Sequence, residues 1–335
     1  MSWNRFLVGC WLLIGMTGNV PAQDSETAVR DKIRLEVRSA VFAGEIDKLE
    51  AWAVEYRTKK SKTPSGLWKL ALFYSGIEEA VAGLEGSKNP QTIAYLADTI
   101  DLWQKKYPDS PSAKVVKGLA LQKRAWMIRG NGYANTVASE AWRPFQEGIE
   151  QARAYFESVK ASASIDPGWY CEMANIVKAQ HWPRKQFDVF AAELLARHPD
   201  YHQAVFCTAE YLSPRWYFES AKALEIFADK AVEATRKEEG NALYARIYWA
   251  ISDGKADTQV FGENFYMWPK IRAGFNDMIV RYPDPWNINH FAKFACLLGD
   301  KEQFAKLAER IGAVPLQSAM TQGFYNQCKA LAGKS

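Results

Sequence analysis

Residue types able to do chemistry are present in this chain, but few stand at spacings that would use them. The four histidines are His181, His198, His202 and His290. Only His198 and His202 have the four-residue spacing that sets two imidazoles on one helix face, and Pro199 breaks the helix that would do it. A metal needs two or more further ligands at tight geometry, so neither a metal nor another cofactor is expected. Glu157-Ser158 and Glu219-Ser220 repeat the dipeptide that lytic transglycosylases use. No Gly-rich lysozyme-like segment follows either one, and both glutamates read as first-turn acids of helices, favoured by the dipole. Serine nucleophile elbows, zinc-protease helices and paired carboxylates in a pocket motif are missing. No enzyme is expected.

Binding chemistry is better represented. Arg129-Gly130-Asn131-Gly132-Tyr133-Ala134 is glycine-rich, but it follows a helix rather than a strand and lacks a third glycine at phosphate-loop spacing. Glycines that end a helix explain it, which leaves Arg129 as an anion contact beside the loop. Thirteen Trp, fifteen Tyr and seventeen Phe make up 13% of the chain. Most must pack between helices. Pro214-Arg215-Trp216-Tyr217-Phe218 and Asn264-Phe265-Tyr266-Met267-Trp268-Pro269 place some at turns. Arg beside Trp and Tyr is the composition of interface hot spots, so Arg129, Arg215, Trp216 and Tyr217 are the expected partner-binding residues. Aromatic faces also stack on sugars.

The elements that position these residues are helices. Apolar residues recur at three- and four-residue spacing through nearly the whole chain after the N-terminus, most clearly over Ala221 to Ala234, and strand-like alternation is scarce. Short Pro, Gly, Asp and Ser punctuation between the stripes predicts antiparallel hairpins. Tyr107-Pro108-Asp109, His198-Pro199-Asp200 and Tyr282-Pro283-Asp284 each end one helix at the proline and offer an Asp to cap the next. Asp166-Pro167-Gly168-Trp169 through Gln186-Phe187 is echoed by Asp284-Pro285-Trp286 through Gln303-Phe304. Tyr155-Phe156-Glu157-Ser158 is echoed by Tyr217-Phe218-Glu219-Ser220. Such divergent self-similarity predicts an all-α, irregular tetratricopeptide-like α-α superhelix of roughly fourteen helices with a concave groove.

Compartment is legible at the N-terminus. Met1 to Arg5 is a basic n-region, Phe6 to Met16 a short apolar run, and Val20-Pro21-Ala22 a cleavage site. Residues 1–22 thus read as a signal peptide and 23–335 as one helical-repeat domain, with room for a sub-boundary near 253–263. The expected location is periplasmic or secreted, without stable membrane insertion. Loss of Cys10 leaves Cys171, Cys207, Cys296 and Cys328, which allow two bridges in three connectivities. Their apolar helical settings favour buried free thiols instead. The net charge of +4, from 42 basic and 38 acidic residues, is dispersed. That excludes nucleic acid as a partner, and the densest basic cluster, Lys59 to Lys62, reads as a helix-end complement to the dipole.

Four segments carry a family resemblance. They are Gly66-Leu67-Trp68-Lys69-Leu70 with Phe73-Tyr74, and Ala125-Trp126 with Arg129 to Ala134. The others are Asp200-Tyr201 leading to Tyr211-Leu212-Ser213-Pro214-Arg215-Trp216, and Gly240 with Leu243-Tyr244-Ala245-Arg246-Ile247. In order and spacing they resemble an uncharacterised bacterial domain-of-unknown-function family with tetratricopeptide-like character, over most of residues 40 to 252. Where that family carries Gly-Gly after the Trp, this chain has Tyr217-Phe218. The resemblance implies a helical-repeat fold and export, with no assigned activity. Together these features point first to an envelope interaction module for a protein or peptide, second to a binder of cell-wall glycan, and third to an enzyme of unknown type.

Overall fold

A computed structural model describes residues 25–87, 89–130, 132–213, 216, 220–252 and 267–333. The expected signal peptide, the 253–263 sub-boundary, Arg215 and Tyr217 lie outside these residues. The described chain is all-α. Its fifteen α-helices are α1 Glu26–Phe42, α2 Ile46–Lys59, α3 Lys69–Gly86, α4 Pro90–Lys106, α5 Pro111–Arg129, α6 Ser139–Ala163, α7 Gly168–Ala179 and α8 Arg184–Arg197, followed by α9 His202–Tyr211, α10 Ala221–Glu239, α11 Ala242–Ser252, α12 Trp268–Arg281, α13 Pro285–Leu297, α14 Lys301–Ile311 and α15 Gln322–Ala332. A lone bridge between Lys62 and Trp68 is the one extended pairing among the described residues.

The helices form two rows. In the first, α1 packs on α3, α3 on α5, α5 on α7, α7 on α9 and α9 on α11. The even-numbered helices form the second row and pack back on their sequence neighbours; α11 to α15 then continue pairwise. The echo detected in the sequence is real in space. Asp166 accepts from the Gly168 amide at 2.9 Å and Asp284 from the Trp286 amide at 2.8 Å. Phe187 and Phe304, on the second helix of each pair, are both 1% exposed.

Other expectations change in detail. Asp284 caps α13 as expected, but Ser110 and not Asp109 caps α5, and α9 has no side-chain cap. Asp200 instead accepts from Lys60 Nζ at 2.8 Å. Glu157 lies deep in α6, paired with Arg153 at 2.9 Å, and is not a first-turn acid. The cysteines are bridged, Cys171 of α7 to Cys207 of α9 and Cys296 of α13 to Cys328 of α15. Packing brings these pairs to Cα separations of 5.3 and 5.7 Å, a proximity that an apolar setting in sequence does not disclose.

The segment after α2 holds contacts that the sequence does not announce. Residues 60–68 leave α2 and run between the first and last helices of the row. Ser65 donates through its amide and hydroxyl to buried Glu26 at 2.9 and 2.7 Å. Its carbonyl accepts from Arg246 at 2.7 Å and from Asn287 at 3.1 Å. Lys62 donates to Glu239 and to the Tyr282 hydroxyl, both at 2.8 Å. Gly66 has φ +92°, and a Cβ there would sit 2.8 Å from both Arg246 and Tyr282. Lys60 and Lys62 of the basic cluster are therefore long-range ties, while Lys59 stays in the last turn of α2 as expected, paired with Glu55.

Helices α5 and α6 approach too closely to admit one extra methyl group. A Cβ on Gly118 would fall 2.1 Å from Phe156 Cζ, a ring with no exposure. Gly118→Ala is expected to destabilise by about 1–3 kcal/mol through overpacking, despite its better helix propensity. Urea unfolding measures it; an unchanged midpoint would mean the Phe156 ring can yield.

Candidate functional site

Between the helix ends on one side of the array lies a cleft of about 450 Å³. Its lining comes from regular spacings. On α5, Leu119, Gln122, Trp126 and Arg129 recur at three and four residues, which puts them on one face. On α7, Glu172, Asn175 and Lys178 do the same at threes. Trp142 and Phe145 come from the start of α6, Glu78 from α3, Glu210 from the end of α9, and Trp216 from the segment after it. Gln122 Nε2 donates to the Glu172 carbonyl at 2.8 Å and so ties α5 to α7 across the floor.

One wall is aromatic. Trp126 meets Phe145 edge-on at 4.9 Å and Trp216 at 5.8 Å, while Trp142 meets Phe145 at 6.1 Å. Arg129 stands over this cluster, its Cζ 5.3 Å from the Trp126 ring and 5.2 Å from Trp142. Its Nη1 also donates to the carbonyls of Gly130 and Gly132, each at 3.1 Å, which folds the glycine-rich turn back on the helix that precedes it. Gly130 ends α5 at φ +79°, as a helix-ending glycine does.

The other wall is charged. Glu78, Glu172 and Glu210 face Lys123, Arg129 and Lys178. Lys123 pairs with Glu78 and Lys178 with Glu210. Trp216 Nε1 donates to Glu210 at 3.1 Å, and Lys178 lies 5.5 Å from the Trp216 ring. Glu172 is the exception to this pairing. Burial pushes its carboxyl up to about 8, and the Glu78 charge adds to the rise against the pull of Lys123. Its side chain is half-buried in the lining of the cleft. At neutral pH it is a protonated, hydrogen-bond-donating acid.

Of the residues expected from sequence, Arg129 and Trp216 both line this cleft, although 87 positions separate 129 from 216 in the chain. Trp216 is half-buried, packed on one edge and open to the cleft. Glu172, Glu78, Glu210, Trp142 and Lys178 were not anticipated. A signal for three of the cleft residues existed: Glu172, Asn175 and Lys178 are polar residues at three-residue spacing in an otherwise apolar helix. His198 and His202 go to different environments. His198 Nε2 bonds the Ser164 carbonyl at 2.9 Å, whereas His202 is fully buried. Among the described residues no helix is long and apolar enough to cross a membrane. Comparison with models of known families, with curated proteins and with solved structures finds no match to this chain.

Proposed function

We propose that this is an exported binding protein whose cleft takes a neutral, hydroxyl-rich glycan of the cell envelope. The observation that carries the reading is the aromatic wall of Trp126, Trp142 and Trp216 with a protonated Glu172 in a cleft whose two lysines are each paired to a carboxylate. Sugars offer flat C–H faces to indole rings and hydroxyls to carboxyl and amide groups. With Lys123 and Lys178 each engaged by a carboxylate and Glu172 protonated, the cleft offers few charges to a ligand, which favours an uncharged one over an acidic or basic peptide. Its volume falls within the range of about 300–1,000 Å³ typical of small-ligand sites. Two disulfides and the N-terminal sequence support an oxidising compartment outside the cytoplasm. This glycan reading moves ahead of the protein-binding one because the cleft is a concavity of small-ligand size lined by three indoles.

Tryptophan fluorescence titration with soluble envelope glycan fragments tests it. Saturable quenching is expected, and Trp142→Ala should weaken binding by about tenfold or more. Affinity should fall above pH 8 as Glu172 ionises, and Glu172→Gln should keep it. Binding of envelope peptides in place of glycans would return the cleft to a protein-interaction role.

A second reading, hydrolysis of the bound glycan, is favoured by the raised pKa of Glu172 next to the charge of Glu78. A neutral carboxylic acid can protonate a leaving glycosidic oxygen while a carboxylate deprotonates an attacking water. Release of reducing ends by the parent protein but not by Glu172→Gln would establish it.

A further inference from the structure

A second cavity of about 550 Å³ adjoins the cleft, and Phe145, Ala179 and His181 line both. The wall of the second cavity is Trp182, and its surroundings hold it in place. Its carbonyl accepts from the Tyr211 hydroxyl at 2.5 Å, and its Nε1 donates to Gln180 Oε1 at 2.9 Å. Gln180 Nε2 donates in turn to Glu150 at 2.7 Å, and the Arg153 guanidinium lies 5.1 Å from the Trp182 ring. An indole fixed by bonds on both its main chain and its ring loses little freedom when a ligand stacks on it.

The residue between the two cavities is strained. His181 has φ +49°, a left-handed conformation that residues other than glycine rarely adopt. Such outliers persist only where the surroundings enforce them, and they cluster at recognition sites. Here two main-chain bonds enforce it, from His181 N to the Lys178 carbonyl and from Trp182 N to the Val177 carbonyl, both at 3.2 Å. They close the turn after α7 tightly, so that Trp182 follows His181 directly at the edge of the first cavity.

We infer that the two cavities are one track for a linear, neutral oligosaccharide, with Trp142 and Trp182 as stacking platforms at successive subsites and His181 at the saddle between them. The inference rests on the glycan reading of the first cavity. The argument is one of repetition: an indole beside amide and carboxyl groups occurs in each cavity, and the two adjoin at shared lining residues. The charges of the second are also internally engaged, Arg153 with Glu157 at 2.9 Å and with Glu150 at 3.8 Å. A polymer that presents the same face at each unit meets the same chemistry twice. A compact ligand would fill only one of the cavities.

Isothermal titration of the protein with β-1,4-linked glucose and N-acetylglucosamine oligomers of two to six units tests this. Affinity is expected to rise with length, by about tenfold or more between the shortest and longest oligomer of whichever series binds. Trp182→Ala should bring the long oligomer down to the affinity of the short one and leave the short one unchanged, whereas Trp142→Ala should weaken both. Should Trp182→Ala fail to fold, Gln146→Trp fills the second cavity from an exposed position on α6 and should have the same effect. Short oligomers binding as tightly as long ones, or long-oligomer affinity unmoved by either second-cavity variant, would overturn the track while the glycan site stood. Failure of every oligomer to bind would remove the glycan reading itself.

Discussion

Asp166→Ala is expected to cost about 3–5 kcal/mol of stability, the scale of a buried ion pair that loses one partner. Asp166 has no exposed surface and follows α6 directly. One carboxylate oxygen accepts from the Tyr74 hydroxyl of α3 at 2.7 Å, the Ser112 hydroxyl of α5 at 2.6 Å and Arg57 of α2 at 3.2 Å. The other oxygen accepts from the Gly168 amide at the start of α7 at 2.9 Å. Four helices therefore converge on one side chain. Removing it takes the acceptor from two buried hydroxyls and a guanidinium, and each group left unsatisfied adds its own desolvation cost. Asp166→Asn keeps the shape and an acceptor oxygen but not the charge, and should fall between parent and alanine variant. Urea unfolding at constant slope measures both. A loss under about 1 kcal/mol for Asp166→Ala would mean that the junction is hydrated and the convergence incidental.

The second large effect is on pH. His290 stacks 4.1 Å from Trp249 and 4.9 Å from Trp286, and burial, with Lys293 and Arg30 adding, pushes its imidazole down to about 3. Burial also holds His202 well below its usual value, with Arg246 and Lys62 contributing. Both nitrogens of each ring lack hydrogen-bond partners among the described residues. An unfolded histidine takes up a proton below about pH 6.5 while these folded ones do not, so unfolding binds protons and stability falls as pH drops from there. The slope is about 1.4 kcal/mol per pH unit for each such group. Glu172 runs the other way. Folded, it keeps its proton up to about 8, against 4.5 in its ordinary state, so its contribution weakens as pH rises between those values. It offsets one histidine on the acid side and acts alone above pH 6.5, and maximal stability is expected near that pH. His290→Phe preserves the stack without polar atoms. It should flatten the acid limb and leave stability at pH 7 intact, while Glu172→Gln should flatten the alkaline limb. Acid limbs of equal slope in His290→Phe and parent would show that His290 is solvated.

How much of this was legible in the sequence depends on the range of the interaction. Helices were legible because their signal is local: three- and four-residue apolar spacing, prolines at first-turn positions such as Pro111 and Pro285, and an Asp cap such as Asp284. The capping role of Asp200 failed because a distant lysine claims that side chain, and nothing near position 200 announces Lys60. The ties of Ser65 were invisible for the same reason, since serine in a turn looks alike whether or not it meets Arg246. At the site, Arg129 and Trp216 stood out by type and by nearby turn residues. Glu172 did not, because its chemistry comes from what surrounds it and not from its neighbours in sequence. Only the interruption of an apolar helix by three polar residues marked its place.

Stacked helical pairs usually behave as one-dimensional chains, in which each unit meets only the next and the ends melt first. The carbonyl of Ser65 alters that behaviour here, because its two donors lie 181 and 222 residues further along. Helices α1 and α13 cannot part without breaking contacts that meet at Ser65, so hydrogen exchange should be as slow in α1 and α13 as in the middle of the row, with α14 and α15 outside these ties. Contacts of this span also slow folding, because the loop they close must be ordered before they reward it. During synthesis, residues 60–68 wait for partners made near the end of the chain.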